Sequence, residues 1–285
     1  MRRFVMQVPL AAALLLGACY DRGGTGPGGG GVQLDAPTRL RSISLNGAVH
    51  LDWSDNAYAA DPNDFAFYHV YSTGYNLDLN VCGTSWSTEG TTVAPSFLVG
   101  ALTNGVPECF EVTAVSLDGI ESDPSPLRND TPRPDGRNVI VFTTDTLAGA
   151  QSGFRFWRDA NNNGAVDAGE LGLVGPSSSG TNDFVVMHDT TGTYIVPQLP
   201  ADSMEVYGSQ PIDDLTSIDL APADGYTASG FEAVPLWGYV FQMHGGAFYK
   251  YGALRVSAVG RNYIIFDWSY QTDPGNPELL RMAAK

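Results

Sequence analysis

The chain has 285 residues, of which 43% are hydrophobic and 11% aromatic, a composition that favours folded cores and excludes a disordered tail. Its 31 acidic and 15 basic residues give a formal charge of −16 at pH 7. A surface this negative repels the nucleic-acid backbone and anionic lipid headgroups, so nucleic-acid binding is excluded.

The N-terminus has the pattern of an export signal. Arg2 and Arg3 provide a positive start, and residues 4–16 form a mostly apolar stretch too short to cross a membrane as a helix. The Leu-Gly-Ala-Cys sequence at 16–19 resembles the lipobox of bacterial lipoproteins. This resemblance implies a signal peptide over residues 1–18, cleavage before Cys19, and a lipid anchor with fatty acyl chains such as palmitate on that residue. An ordinary signal peptide with an incidental cysteine is the alternative.

The residues after Cys19 bear on localisation. Tyr20 occupies the position where aspartate is the inner-membrane retention signal of lipoproteins, so the resemblance implies the outer membrane and an extracytoplasmic chain. Loss of Arg2 and Arg3 would leave 13 basic and 31 acidic residues, a formal charge of −18. Residues 19–35 form the lipidated cysteine and a linker whose glycine-rich sequence DRGGTGPGGGG predicts a flexible tether.

From residue 36 to residue 134 the sequence has short strands separated by turns. Apolar and polar residues alternate at 40–45 and at 48–53, on either side of the hairpin signal Asn46-Gly47. Alternation returns at 109–116. This pattern predicts a β-sandwich.

Four segments of this region carry a family resemblance. They are Val-His-Leu-Asp-Trp at 49–53, Tyr-His-Val-Tyr at 68–71, Leu-Thr-Asn-Gly at 102–105 and Phe-Glu-Val-Thr-Ala-Val-Ser at 110–116. With them, residues 36–134 resemble a fibronectin type III domain. Glu108 departs from the family, which usually has the tyrosine of its corner motif there. His50 and His69 lie on predicted strands without neighbouring ligand residues, so we interpret both as structural surface residues.

Two cysteines remain once Cys19 carries lipid. An even pair in an oxidising compartment predicts a disulfide between Cys82 and Cys109, and two separate buried thiols are the alternative. Strand alternation turns Cys109 away from the face of Phe110, so we expect the bond to lie outside the core.

A second linker is predicted at residues 128–137, where Pro132, Pro134 and Gly136 occur. Residues 138–285 then have the pattern of a second β domain with turns rich in glycine and proline. The sequence therefore predicts an all-β protein: a fibronectin type III β-sandwich followed by a second, mostly antiparallel β domain.

The second domain contains the sharpest motif. Residues 159–170 match the twelve-residue EF-hand calcium loop, in which Gly164 permits the sharp turn. The predicted ligands are Asp159, Asn161, Asn163, Ala165 (through its carbonyl), Asp167 and Glu170. The flanking sequences favour strands over helices, and we therefore predict a Ca²⁺ loop inserted in a β domain. A turn that binds no metal is the alternative. Calcium is the only cofactor we expect, with a Kd of about 10⁻⁴–10⁻³ M.

Two aromatic stripes follow. Alternation places Trp237, Tyr239, Phe241 and Met243 on one strand face, and Ile264, Phe266, Trp268 and Tyr270 on another. Such stripes are usually core, and a stacking platform for sugar or a flat cofactor is the alternative. The segments around 218–226 and 238–256 are similar to HmuY-like lipoproteins, some of which bind haem through His or Met. By residue type alone, Met187-His188 and Met243-His244 are the candidates for that role.

Catalysis finds little support, because the sequence has neither a His-Glu-x-x-His zinc motif nor a Gly-x-Ser-x-Gly elbow. Asp213, Asp214 and Asp219 could imitate a glycosidase pair, although solvated carboxylates explain them as well. We expect a non-enzymatic, calcium-stabilised lipoprotein for binding, adhesion or display at the cell surface. Its partners would be the membrane, through lipid, and a glycan or protein ligand. A scavenger or carrier of haem or a glycan is the alternative, and an accessory to glycan hydrolysis comes third.

Overall fold

A computed structural model describes residues 31–279 except 77, 78, 147 and 165. These residues form eighteen β-strands, one five-residue α-helix and four 3-10 helices, which confirms the all-β prediction. The signal peptide, Cys19 and most of the tether lie outside the described residues. No helix in the described part of the chain has the length and apolar character needed to cross a membrane.

The N-terminal half is a two-sheet sandwich of antiparallel strands. Its strands are β1 Thr38–Leu45, β2 Ala48–Ser54, β3 Phe65–Asn76, β4 Val81–Cys82, β5 Ser87–Thr92, β6 Ser96–Val99, β7 Glu108–Ser116 and β8 Arg128–Asp130, with helix α1 Asn56–Ala60 after β2. One sheet has the order β1-β2-β6, and the other has the order β4-β3-β7-β8 with β5 also paired to β3.

The alternation read from the sequence decides which side chains fill this sandwich. Every second residue of β2 is buried, namely Val49, Leu51 and Trp53. Trp53 meets Tyr68 of β3 edge to face, with ring centroids 5.3 Å apart. Phe110 of β7 completes the contact between the two sheets. Burial of such side chains contributes roughly 1.5–3 kcal/mol each before the entropy of ordering is subtracted.

The C-terminal half is built from two further five-stranded sheets. Their strands are β9 Asp135–Phe142, β10 Gly153–Trp157, β11 Leu171–Gly175, β12 Phe184–His188, β13 Thr193–Pro197, β14 Ser203–Tyr207, β15 Phe231–Glu232, β16 Gly238–Gly245, β17 Phe248–Val259 and β18 Tyr263–Tyr270. The sheet orders are β11-β10-β12-β13-β15 and β14-β16-β17-β18-β9. The 3-10 helices are Gly149–Gln151, Ala168–Glu170, Ser177–Ser179 and Leu215–Ser217.

An aromatic core joins these two sheets. Phe154 of β10 lies with its ring centroid 5.1 Å from that of Phe266, and Phe184 of β12 lies 5.1 Å from Phe241. A second, smaller cluster covers the opposite face of the β16–β17 pair through Val240, Ala253 and neighbouring apolar residues.

The predicted linker at 128–137 is not an exposed connector, and that prediction was wrong. Arg128–Asp130 is a strand of the first half, and Asp135–Phe142 is a strand of the second. The residues between these strands are buried. Pro134 accepts a hydrogen bond from the Tyr270 backbone, and Pro132 accepts one from Gly105. The junction is therefore part of the packed protein.

Candidate functional site

The predicted calcium loop connects β10 to β11, and the strands pair at its base with Trp157 opposite Leu171. A β-hairpin therefore holds the loop, as expected from its flanks. Gly164 has a φ of +74°, a left-handed conformation that glycine adopts without steric cost. This is the position at which the EF-hand motif turns.

Side chains at the predicted ligand positions converge through hydrogen bonds across the loop. The two carboxylate oxygens of Asp159 accept from the backbone N–H groups of Asn163 and Gly164, each at 3.0 Å. Asn161 Oδ1 also accepts from the Asn163 N–H, at 3.0 Å. Asp167 Oδ2 accepts from the side-chain amides of Asn161 and Asn163 at 2.8 and 3.0 Å. Hydrogen bonds thus link four of the predicted ligands to one another or to the loop backbone.

Glu170 closes the loop and is only 5% exposed. Its Oε1 accepts from the backbone N–H groups of Ala160 at 2.7 Å and Asn161 at 3.3 Å. Its Oε2 is buried and has no hydrogen-bond partner. An unpartnered buried carboxylate oxygen is costly, because its lost hydration is not replaced. A cation bound in the loop would replace it, so this residue fits calcium.

The two asparagine side chains of the loop would fit a cation if their amide groups were rotated. The Asn161 and Asn163 amides present NH₂ groups to Asp167, and a half-turn of each amide would present oxygen instead. No group of three or more His, Cys, Asp or Glu side chains in the described residues is placed to hold a metal ion. This holds for Asp159, Asp167 and Glu170 of the loop as well, whose carboxylates accept hydrogen bonds within the loop. Calcium binding at the loop therefore remains a prediction. Ala165, the predicted carbonyl ligand, lies outside the described residues.

A basic side chain lies near this loop. Lys250 Nζ is 3.8 Å from the centre of the Trp157 ring. Burial lowers the pKa of Lys250, while the carboxylates of Asp159 and Asp183 act in the opposite direction. Positive charge close to Asp159 would compete with a bound cation, which is consistent with the weak affinity that we expect.

The predicted disulfide is confirmed. Cys82 and Cys109 are bonded, with their Cα atoms 5.7 Å apart. Cys109 lies on the face of β7 opposite Phe110, and so outside the sandwich core, as its alternation predicted. It is nevertheless fully buried. The chain after Cys82 crosses this face, where the Ser85 carbonyl accepts a hydrogen bond from Thr73 at 2.9 Å.

Both aromatic stripes are core. The buried members are Tyr239, Phe241, Met243, Ile264, Phe266, Trp268 and Tyr270, all of which belong to the aromatic core of the C-terminal half, with Trp237 packed against it. The core interpretation is confirmed, and the interpretation as a stacking platform was wrong.

The two Met-His pairs considered as haem ligands, Met187-His188 and Met243-His244, lie on different sheets. Met243 is enclosed in the core, whereas Met187 is 46% exposed. His188 shares a hydrogen bond of 3.0 Å with Thr193, and the His244 ring lies against Tyr249. Because these pairs lie on different sheets and one thioether is enclosed, the structure does not support a Met–Met haem site.

The acids at 213–219 are engaged with other groups. Burial alone would raise the pKa of Asp214, but the Thr216 N–H and the Arg137 guanidinium, 2.9 Å away, bring it to about 2. Asp219 accepts from the Tyr207 hydroxyl at 2.6 Å. Asp213 is exposed. This arrangement favours structural and solvated carboxylates over a glycosidase pair.

Solved structures similar to part of this chain include fibronectin type III domains. An Fn3-like protein from Clostridium thermocellum is 18% identical with a TM-score of 0.28, over 34% of this chain and 92% of that one. The FN5 domain of Drosophila Lar is 16% identical with a TM-score of 0.27, over 35% and 96%. A domain of human fibronectin type III domain containing protein 3 is 18% identical with a TM-score of 0.30, over 38% and 94%. No family model and no curated protein matches the sequence. The likeness is distant and covers about a third of the chain.

Proposed function

We propose that this chain is a non-enzymatic, calcium-stabilised binding or display module, held outside the cytoplasm at the outer membrane by lipid on Cys19. The observation that carries the proposal is the closed packing of the C-terminal aromatic core. A carrier of haem or sugar needs an open apolar cavity with a few polar groups. Here the rings that could have lined such a cavity pack against one another, which favours a protein that works through its surfaces.

Calcium would act on stability in this proposal. The loop lies at one end of the aromatic core, beside Trp157, and its ligands come from a single hairpin. An ion held by Asp159 and Glu170 would fix the hairpin and neutralise carboxylates in a chain of −16 formal charge. Calcium takes six to eight oxygen ligands in flexible geometry, which suits a loop of carboxylates, amides and a carbonyl.

Calcium should raise the melting temperature of the C-terminal half. With a Kd of about 10⁻⁴ M, millimolar calcium should add about 1.4 kcal/mol to the free energy of unfolding, because only the folded state binds it. Glu170→Gln should abolish most of this gain, since it weakens the ligand that closes the site. Calorimetric melting in calcium and in chelator measures both effects.

Asp224→Asn is the matched control, because Asp224 is an exposed carboxylate outside the loop. This variant should respond to calcium as the wild type does. Magnesium should substitute poorly, because it requires tighter octahedral geometry and loses water reluctantly. Identical melting of the wild type in calcium and chelator, with no heat of binding on titration, would reduce the motif to a turn.

Cys19→Ser should release the protein from membranes. The lipobox resemblance at residues 16–19 motivates this prediction, because lipid on Cys19 is the anchor it implies. Detergent phase partitioning measures the change, with the wild type in the detergent phase and the variant in the aqueous phase. Cys82→Ser makes the same change at a disulfide cysteine and should keep the anchor. Equal partitioning of Cys19→Ser and wild type would disprove the lipoprotein assignment.

A further inference from the structure

The outer face of the β4-β3-β7-β8 sheet carries an open groove, here called the outer-sheet groove. Its volume is about 720 Å³, within the range of ligand sites. The segment containing Asn80 and Trp86 forms one side, and Leu127 and Asn129 form the other. The Cys82–Cys109 bond holds the first side against the sheet. The disulfide therefore fixes the position of this side of the groove relative to the sheet.

The groove walls are aromatic and apolar. Tyr75 and Trp86 are half-buried, while Val81 and Leu127 are 50% and 56% exposed. Beyond the groove, the same face of β3 continues as a row of rings. Phe67, His69 and Tyr71 form this row, with successive centroids 5.3 and 5.4 Å apart. Partly exposed rings on a rigid sheet bind planar or cationic groups at small entropic cost.

The charge of this face is negative. Glu111 lines the groove, opposite Tyr71 in the strand ladder. Glu121 lies on the same face, where it accepts from His69 at 2.6 Å and from Tyr71 at 2.8 Å. Burial raises the pKa of Glu111, and the negative charge of Glu121 raises it further. In the described residues no ion pair or hydrogen bond holds the Glu111 carboxylate, so it lacks a counter-ion.

His69 lies on this face but is bonded to Glu121 and not to Glu111. The arginine side chains described in the N-terminal half lie elsewhere. Arg39 and Arg41 belong to β1 in the opposite sheet. Arg128 is buried with its Nε donating to Ser42 of β1, and Arg133 is buried at the junction. A partner must therefore supply the positive charge that would match Glu111.

We infer that the outer-sheet groove binds a basic segment of a partner protein, taking an arginine or lysine side chain between its rings and Glu111. Cation–π contact with Trp86 or Tyr75 and a charge-assisted hydrogen bond to Glu111 would recognise the cation. The aliphatic stem would pack on Leu127. This inference rests on the proposed binding role and names the partner class.

Peptide binding to the full-length protein in detergent tests the inference. The probe is a fluorescent peptide of alternating arginine and glycine, compared with the same peptide carrying neutral citrulline. Polarisation should show about tenfold weaker binding of the citrulline peptide, and Glu111→Gln should weaken the arginine peptide to a similar extent. Trp86→Ala should also weaken binding, whereas Trp86→Phe, which keeps a ring in the disulfide-held segment, should retain most of it.

Glu232→Gln is the matched control, because Glu232 is an exposed carboxylate on β15 in the other half. Equal losses from Glu111→Gln and Glu232→Gln would show general attraction to an acidic protein and overturn the inference. Equal affinity for both peptides would do the same. Binding of neutral chitohexaose that survives Glu111→Gln would assign the groove to a glycan instead. The same samples should also be melted with and without calcium and partitioned in detergent. If these two tests succeed while peptide binding fails, the groove inference is wrong and the proposed module still stands.

Discussion

Replacing Arg133 by methionine should lower the free energy of unfolding by about 3–5 kcal/mol, because it removes one partner of a buried ion pair and leaves the other partner buried and charged. Arg133 is 1% exposed, as is Asp130. Its Nη2 lies 3.8 Å from Asp130 Oδ1 and 3.6 Å from Glu278 Oε2. Its Nη1 donates to Ser44 Oγ at 3.0 Å, and that hydroxyl donates to Asp130 at 2.5 Å.

The loss follows from the charge that remains. Asp130 stays buried when Arg133 is removed, and its Oδ2 has no hydrogen-bond partner. Arg128 also lies near enough to interact with Asp130, so we expect the lower part of the range. Because Glu278 follows β18 and Ser44 belongs to β1, the same variant should loosen the junction between the two halves.

Urea unfolding in excess calcium measures this effect. Arg41→Met, at an exposed arginine of β1, should change stability by less than about 0.5 kcal/mol. Adding Asp130→Asn to Arg133→Met should recover part of the loss, because it removes the orphaned charge and keeps a carbonyl acceptor. A loss from Arg133→Met no greater than that from Arg41→Met would contradict the buried-pair argument.

The junction also shows where sequence reasoning failed. Pro132, Pro134 and Gly136 have the composition of a linker, and composition reports only local preference. What buries this segment is long-range: Pro132 pairs with Gly105 and Pro134 with Tyr270, more than a hundred residues later in the second case. Neither partner has a local signal that could have indicated the contact.

Features with a fixed period or spacing were predictable. Strand alternation identified the buried face of β2 and the outward position of Cys109, because a strand turns alternate side chains to opposite faces. The candidate calcium loop was identified by residue types at set intervals, and Gly164 has the left-handed φ that the motif predicts. Calcium binding there remains a prediction. The disulfide followed from an even cysteine pair. The orphaned Glu170 oxygen, however, depends on how the hairpin packs and was visible only in the structure.

Buried acids without a local partner were likewise invisible to the sequence. Asp183 and Asp202 precede β12 and β14 and are 4% and 3% exposed. Burial raises the pKa of Asp183 to about 7. The Phe156 N–H, which donates to Asp183 at 2.7 Å, lowers this pKa, and the negative charge of Asp202 raises it. Burial raises the pKa of Asp202 to about 6. An acidic chain offers many carboxylates, and no periodicity distinguishes these two.

Stability should therefore fall as the pH rises from 5 to 8. Both folded-state pKa values lie above the ordinary aspartate value of about 3.9, so the folded state holds protons that the unfolded state has released. The stabilisation is fully present below pH 4 and is lost as the pH passes through 6 and 7. At about 1.4 kcal/mol per pKa unit, ionisation of Asp183 alone would lower the free energy of unfolding by at most roughly 4 kcal/mol.

Asp183→Asn should flatten this pH dependence, because asparagine is neutral throughout and its carbonyl can still accept from Phe156. At pH 8 the variant should be more stable than the wild type by about 2–4 kcal/mol, and at pH 5 this advantage should be smaller by about 2 kcal/mol. Urea unfolding at fixed excess calcium, in steps from pH 5 to pH 8, measures both slopes. Asp213→Asn, at an exposed aspartate, should keep the wild-type slope. If Asp183→Asn and the wild type lose stability in parallel, Asp183 is not the group whose ionisation destabilises the fold.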